Sequence, residues 1–555
     1  MRVLFPFATL LIASAASLCA QSTLAESNPC LGTVVWSSCD WSFDLAPSEN
    51  PDTFDLHAEF RSPHNRTLLL HAFRDGNRRF VLRFAPTEEG DWIYRLTSNL
   101  SRLEGETGHF TAERSASPGF VKAANVHHFA TGDGKPHLWM AATLDDFLSL
   151  PRDEFARTVA ARVSEKFTHL RVTIPANADL DEAAERIRAI NTSGLVADLV
   201  LASIPENAPA RRKYISDLAS RFAAFNITWM GFAGFENVPN GRAILKDAGA
   251  ILKQFDPYSH PRTSLAESTS GALGNDTWTS MLDYGTSDRN VGAVEHQLYG
   301  EPAINTGIQS ERDLWNATMN GQYPASGSGA YMTAWFNFMS GNRYWELEPY
   351  FDVDGGRALA LEDVEYIVYV EKPGPVEMTV ADHGYDVAWI NPGTGERVKA
   401  KGYRGTHFVG EPPDKSHDWV LHVSREGEKQ SRLKSYAFDS REQPIQMQQI
   451  ELNPEKTPYE VTAPGETEIS ISKPPHFSLH VIRNSRATRN LLVEWAGEVT
   501  ADGQGYRVIG TGTEGTFQIP SSMLHGVSPS MLVHVFIMNA FGKVYEADKV
   551  YELAP

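Results

Sequence analysis

From Thr33 to about Ala116, apolar and polar residues alternate in short runs, FDLHAEF, TLLLHAF, RFVLRFAP and DWIYRLTSN, separated by Pro, Gly, Asn and Asp. Successive side chains of a strand point to opposite faces, so this period of two predicts half-buried strands in an antiparallel β-sandwich. Asp75-Gly76-Asn77 suits a hairpin, because Gly and Asn accept positive φ at little cost. Between about Pro118 and Arg357 the period changes, and helix-length amphipathic segments alternate with short apolar runs. That rhythm predicts an α/β barrel. The strand candidates are HLWMAAT (from His137), HLRVTI (His169), VADLVLAS (Val196), ITWMGFAGF (Ile227), RTSLAES (Arg262), MLDYGTS (Met281), PAINTG (Pro302) and GAYMTAWF (Gly329). Helices are expected over Asp153 to Lys166, Asp181 to Thr192 with an Asp N-cap, Pro209 to Phe225 and Asn240 to Phe255. The polar, Gly-rich stretch Thr269 to Ser280 makes the expected barrel irregular. Beyond Ala358 strands return in EYIVYVE, PVEMTV, YDVAWINP and DWVLHVS, and again in HFSLHVIR, NLLVEWAG, GYRVIGTG and MLVHVFIMN.

The expected fold is therefore multidomain α/β plus all-β, an irregular (β/α)8 TIM-like barrel flanked by β-sandwiches. Its expected pieces are a signal peptide (1–25), an N-terminal sandwich (30–117), the barrel (118–357), a second sandwich (358–426) and an immunoglobulin-like module (427–555). The length of 555 residues agrees with several domains. Met1-Arg2, the apolar run from Val3 to about Ala16 and the small residues that follow have the pattern of a secretory signal, with Ala20 or Ala25 as cleavage sites. Export to the periplasm or the extracellular space is the resulting expectation, with no membrane insertion beyond the signal peptide. In that compartment Cys30 and Cys39 are expected to pair, two free buried thiols being the alternative. The 69 Asp+Glu against 50 Lys+Arg give a net charge of −19, a field that repels phosphate backbones, so nucleic acid is excluded as a partner. No clustered His/Cys pattern has metal-ligand spacing, and neither a metal nor a cofactor is expected.

The sandwich–barrel–sandwich order, with FAPTEEGDWI (Phe84 to Ile93), HFATGDGKPHLW (His128 to Trp139), DPYSHPRT (Asp256 to Thr263), EHQLYGEPAIN (Glu295 to Asn305), YIVYVEKPGPV (Tyr366 to Val376), AWINPGTGE (Ala388 to Glu396) and DWVL (Asp418 to Leu421), resembles the apiosidase-like glycoside hydrolases. In that family an N-terminal sandwich of unassigned function precedes the barrel and a sandwich of collagen-binding type follows it. The resemblance implies a carboxylate pair at the C-terminal ends of the fourth and seventh barrel strands: one acid protonates the leaving oxygen, the other attacks the anomeric carbon or activates water. Glu236 stands where the fourth strand should end. On the seventh strand Gly307 occupies the position of the expected nucleophile, and Glu311 fits a second glutamate four residues on. The family's Asn-Glu pair is Phe235-Glu236 here, and its Gly-Asp-Thr stretch is Ala141-Ala142-Thr143, followed by Asp145 and Asp146.

Glu236 is thus the candidate acid, alternatively a helix cap or an ion-pair partner of Arg242. Asp283, Glu311 and Asp146 are candidate partners. Asp283 ends the sixth strand and could instead cap a loop, while Glu311 and the Asp145-Asp146 pair could simply begin helices. Asp146, His296, Gln297, Asn305 and Trp335 are candidate substrate-binding residues, through hydroxyl hydrogen bonds or stacking; His296 and Gln297 could equally satisfy neighbouring backbone, and Trp335 and Trp345 could equally be buried core aromatics. The function expected is hydrolysis of glycosidic bonds in plant or microbial polysaccharide, with an oligosaccharide or polysaccharide as partner. The alternative is a catalytically degenerate carbohydrate-binding or surface-scaffold protein.

Overall fold

The computed structural model describes residues 30 and 32–425 and most of 459–554; the expected signal peptide lies outside the described residues. In the N-terminal part, Leu56–Arg61, Thr67–His71, Gly90–Ser98 and Thr107–Ala112 form one antiparallel sheet, and Cys39–Asp44, Phe73–Arg74 and Arg79–Phe84 form another. The alternation read in the sequence is the burial pattern observed: Trp92, Tyr94 and Leu96 point inward while Ile93 faces solvent. Both sheets contribute to one core, where Phe60 stacks on Phe84 at 4.0 Å. A disulfide joins Cys30 to Cys39 across a Cα separation of 5.6 Å.

The middle of the chain carries parallel strands. β1 (Ala141–Leu144), β2 (His169–Ile174), β3 (Val196–Leu201) and β4 (Ile227–Trp229) make a four-stranded parallel sheet in chain order. β5 (Leu282–Tyr284), β6 (Ala303–Asn305) and β7 (Gln322–Pro324) make a three-stranded one. Residues 261–265 run between them. Trp229 N donates to Pro261 O, Thr263 N to Trp229 O and Leu265 N to Met230 O, and on the other side Ser280 N donates to Arg262 O. The expected strand RTSLAES therefore contributes a bridge at Arg262 but no regular strand.

Connecting helices are α1 (Arg152–Ser164), α2 (Leu180–Thr192), α3 (Ala208–Phe222), α4 (Gly241–Phe255), α5 (Arg289–Leu298), α6 (Glu311–Met319) and α7 (Ala330–Ser340). The Asp179 side chain caps α2 by accepting from Asp181 N and Glu182 N. The stretch Thr269 to Ser280 holds only a 3-10 segment, Gly271–Asp276. One expectation is reversed: GAYMTAWF is not a strand but most of α7. Its buried Met332, Trp335 and Met339 recur at the spacing of one helical face, and the strand comes earlier, at β7. No helix among the described residues is long and apolar enough to cross a membrane.

After α7 an eight-stranded antiparallel sheet is built around Glu365–Val370, Val376–Ile390 and Trp419–Arg425. Every residue of Glu365–Val370 is buried. Ile367 and Tyr369 belong to the large core that also holds α6 and α7, whereas Tyr366, Val368 and Val370 face the sheet's own core. A sheet covered on both faces reads as a continuous apolar run, which is what EYIVYV shows. In the last part a five-stranded sheet and a three-stranded sheet enclose Trp495 and Tyr551, and Ala293, Val294 and Leu298 of α5 pack against Phe536 and Met538.

Candidate active site

The C-terminal ends of β4 and β5 and the segment 261–267 bring acidic side chains together. After β4 the chain turns through residues 230–234 into a one-turn 3-10 helix, Phe235–Asn237, which carries Glu236. Glu236 Oε1 accepts from Glu267 N at 3.1 Å. Its Oε2 is buried and has no hydrogen-bond partner among the described residues. Burial raises the Glu236 pKa from its ordinary value; backbone donors, including Glu267 N, and the Arg242 charge oppose that, and the Glu267 charge adds to it. Arg242, the alternative ion-pair partner, binds Asp276 at 2.9 Å and acts on Glu236 through its charge.

Asp283, in the middle of β5, is fully buried. One carboxylate oxygen accepts from Ala266 N at 3.0 Å and the other from Thr306 Oγ1 at 2.9 Å. Burial pushes its pKa up to about 7; the two hydrogen bonds and Arg171 pull against that, and Glu236 adds to it. Asp283 thus shares an electrostatic neighbourhood with Glu236 but presents no surface to a ligand. Its bonds to Ala266 and Thr306 tie together the chain on either side of β5. Glu267, by contrast, is exposed, and its carboxylate accepts from the Asn237 amide.

The other candidates are dispersed. Glu311 begins α6, with its carboxylate against Gly393 in the turn after the strand Val376–Ile390, and burial raises its pKa. Asp418 adds to that rise, and His417 and Arg312 oppose it. Asp146 lies in the exposed turn after β1. Asn305 is buried, its amide nitrogen donating to Thr286 O and Gln322 Oε1 and its oxygen accepting from Gly307 N. Trp335 is 1% exposed and donates to Thr318 Oγ1, so it is core and not a stacking platform.

His296 and Gln297 belong to the opposite end of the strands. α5 leaves the C-terminal end of β5 and runs back, so its last turn sits beside Gly321, just before β7 begins. Burial pushes His296 down to about 4. Trp345 is in the same region, its carbonyl accepting from Asn125. None of these seven residues is a hydrogen-bond partner of Glu236 among the described residues.

Gly307 has a definite physical role. A Cβ there would come within 2.6 Å of the Gly285 carbonyl oxygen and 2.8 Å of two further backbone carbons. Backbone cannot swing aside as a side chain can, so the position expected for a nucleophile has no room for one. Gly307→Ala should lower the stability of the folded chain by roughly 1–3 kcal/mol, the usual penalty of overpacking. Urea unfolding would measure it; an unchanged midpoint would contradict the tight approach.

Sequence reasoning missed Glu267 and Arg171. Glu267 closes the run RTSLAES, the same end-of-strand position that singled out Glu236, but the absence of a regular strand leaves that signal weak. A separate polar depression of about 330 Å³ is lined in part by Thr143, Gln309, Ser328 and Tyr331 and by none of Glu236, Glu267 and Asp283.

The model of a domain of unknown function, DUF5060, matches residues 33–99. No curated protein matches the chain. Among solved structures, a Bacteroides vulgatus protein provisionally assigned as a glycoside hydrolase aligns with a TM-score of 0.61 at 16% identity, over 71% of this chain and 100% of its own. The fold is glycoside-hydrolase-like. A family 5 glycoside hydrolase from the same organism aligns with a TM-score of 0.50 at 14% identity, over 56% of this chain and 95% of its own. A third structure, described simply as a glycoside hydrolase, gives a TM-score of 0.50 at 15% identity, over 56% of this chain and 99% of its own. At such identities the likeness is one of fold, and the chemistry must be argued from the residues.

Proposed function

We propose that this chain is an exported glycoside hydrolase acting on plant or microbial polysaccharide, with Glu236 as the proton donor. The observation that carries the reading is the Glu236 carboxyl itself: raised in pKa by burial, in the 3-10 turn seven residues beyond β4, with one oxygen held by Glu267 N and the other buried and unpartnered. A general acid must hold its proton near the working pH and aim it at the leaving oxygen, and burial without a counter-ion is how a glutamate does so. Glu267 is the second carboxylate in this reading, exposed and bound to the neighbouring Asn237, while Asp283 positions both segments from below. In the same reading the two parallel sheets close into a (β/α)8-like barrel with residues 261–265 in the fifth place.

The alternative, a carbohydrate-binding protein without turnover, is favoured by one observation, the lack of space for a side chain at Gly307. The purified full chain should be screened for reducing-sugar release across a polysaccharide panel, with binding measured in parallel. The enzyme reading expects release from at least one polymer, abolished or strongly reduced in Glu267→Gln. Binding without release from any polymer would establish the alternative.

A further inference from the structure

Far from the carboxylate rim, four residues widely separated in the chain meet beneath the parallel strands. His127 and His128 come from the hairpin before β1, formed by Lys122–Ala124 and His128–Ala130; His296 from the last turn of α5; and Glu348 from the strand Glu348–Tyr350. His127 Nδ1 and His296 Nε2 each lie 3.1 Å from the same oxygen, Glu348 Oε2. These three atoms all fall within 4.8 Å of one another. His128 Nε2 is 3.4 Å from the other carboxylate oxygen.

Two features distinguish this cluster from an ordinary ion pair. His296 and His128 are buried, 8% and 3% exposed, yet neither Nε2 makes a directed hydrogen bond to the carboxylate it approaches. Buried polar nitrogens are normally satisfied, and these two have only an ion-pair contact with one carboxylate, an arrangement that a shared cation would complete. The far side of each ring is also held. His127 Nε2 donates to Tyr299 O at 3.0 Å while Nδ1 faces Glu348 Oε2 at 3.1 Å, so Nδ1 is the nitrogen that exchanges its proton for a metal. His128 Nδ1 is 2.7 Å from Tyr323 Oη, and His296 Nδ1 is 3.1 Å from the Gln297 side-chain amide. As placed, the Gln297 amide nitrogen donates to His296 Nδ1; turned to present its oxygen, the amide holds the proton on Nδ1 and frees the Nε2 lone pair. Oriented imidazoles of this kind are typical of metal ligands. Gly321 leaves the space, since a Cβ there would stand 2.7 Å from His296 Nε2.

We infer that His127 Nδ1, His296 Nε2 and the Glu348 carboxylate form a binding site for a divalent transition-metal ion of the Zn²⁺ type. Ligand atoms about 2.0–2.2 Å from tetrahedral zinc are separated by roughly 3.3 Å, close to the two observed edges of 3.1 Å. Two imidazoles and one carboxylate favour Zn²⁺ over Mg²⁺ or Ca²⁺, which take oxygen ligands. His128 steadies the second carboxylate oxygen. The Glu348 side chain is 44% exposed, which gives the ion a path from solvent and leaves a fourth position for water. Bound there, the ion ties the hairpin, α5 and the first strand of the antiparallel sheet together beneath the parallel strands.

The test uses the full-length, tag-free protein stripped with a chelator and titrated calorimetrically with Zn²⁺, with Mg²⁺ as control. The expected result is one Zn²⁺ per chain and no Mg²⁺. Glu348→Gln and His296→Gln should each weaken binding by about 10-fold or more, the scale set by loss of groups at a metal site. His71→Gln, which alters the more exposed Asp55, His57, His71 group, should leave it unchanged. X-ray absorption on the wild-type zinc protein should show two imidazoles, a readout independent of whether the variants fold. Absence of stoichiometric binding, a zinc environment without imidazole, or binding lost in His71→Gln but kept in Glu348→Gln would overturn the site.

Discussion

Glu236→Gln is expected to lower turnover of polysaccharide by about 10² to 10⁴ while leaving substrate affinity nearly unchanged. The substitution preserves shape and removes only the proton. The amide oxygen still accepts from Glu267 N, so the 3-10 turn that carries residue 236 keeps its anchor. The unpartnered Oε2 is replaced by an amide nitrogen that cannot act as an acid. Aryl glycosides with activated leaving groups should lose much less, because their leaving oxygen needs little protonation. Steady-state kinetics on both substrate types, compared with binding by calorimetry, separate the outcomes. Full activity of the variant on unactivated polymer would remove Glu236 from the acid's role.

The second large effect is on stability. Asp283 is held in the folded chain at a pKa of about 7, against an ordinary aspartate near 3.9. The folded state therefore binds the proton more tightly than the unfolded state. The corresponding stability is fully present below about pH 4 and is lost as pH rises toward and through 7. A difference of about three pH units corresponds to an upper bound of about 4 kcal/mol at 1.36 kcal/mol per unit. Asp283→Asn keeps the shape, with its oxygen accepting from Ala266 N and its nitrogen donating to Thr306 Oγ1. The variant should be more stable than wild type at pH 8 by up to a few kcal/mol, the difference vanishing near pH 4. Chemical denaturation of both proteins between pH 4 and 8 measures this. Equal stabilities across the range would mean that Asp283 titrates normally, and that the burial of its carboxylate is compensated by groups other than those at Ala266 and Thr306.

Glu236 and Asp283 could be picked out because each follows or ends an apolar run, and strand ends are where side chains reach a rim. His296 and Gln297, held open between sugar contacts and local backbone contacts, lie away from Glu236 because they do not end a strand. They end a helix, which returns the chain to the other side. Trp335 failed for a different reason. An apolar run of eight residues fits a buried strand or one face of a helix, and local pattern does not separate the two.

The sequence by itself determined the alternation of the N-terminal strands, four of the helices, one with an Asp N-cap, and most of the parallel strands, because these follow from periodicities within ten to fifteen residues. It also marked Gly307 as a position without a carboxylate. Only the tertiary structure decided that Glu267 is the residue beside Glu236, that Asp283 is sealed under the rim, and that Glu311 faces the turn at Gly393. It alone brought His127 and His128 to His296 and Glu348, across separations of about 170 to 220 residues. Burial and the meeting of distant charges set the pKa of a carboxyl and the ligands of a site, and neither leaves a mark in the local pattern of a sequence.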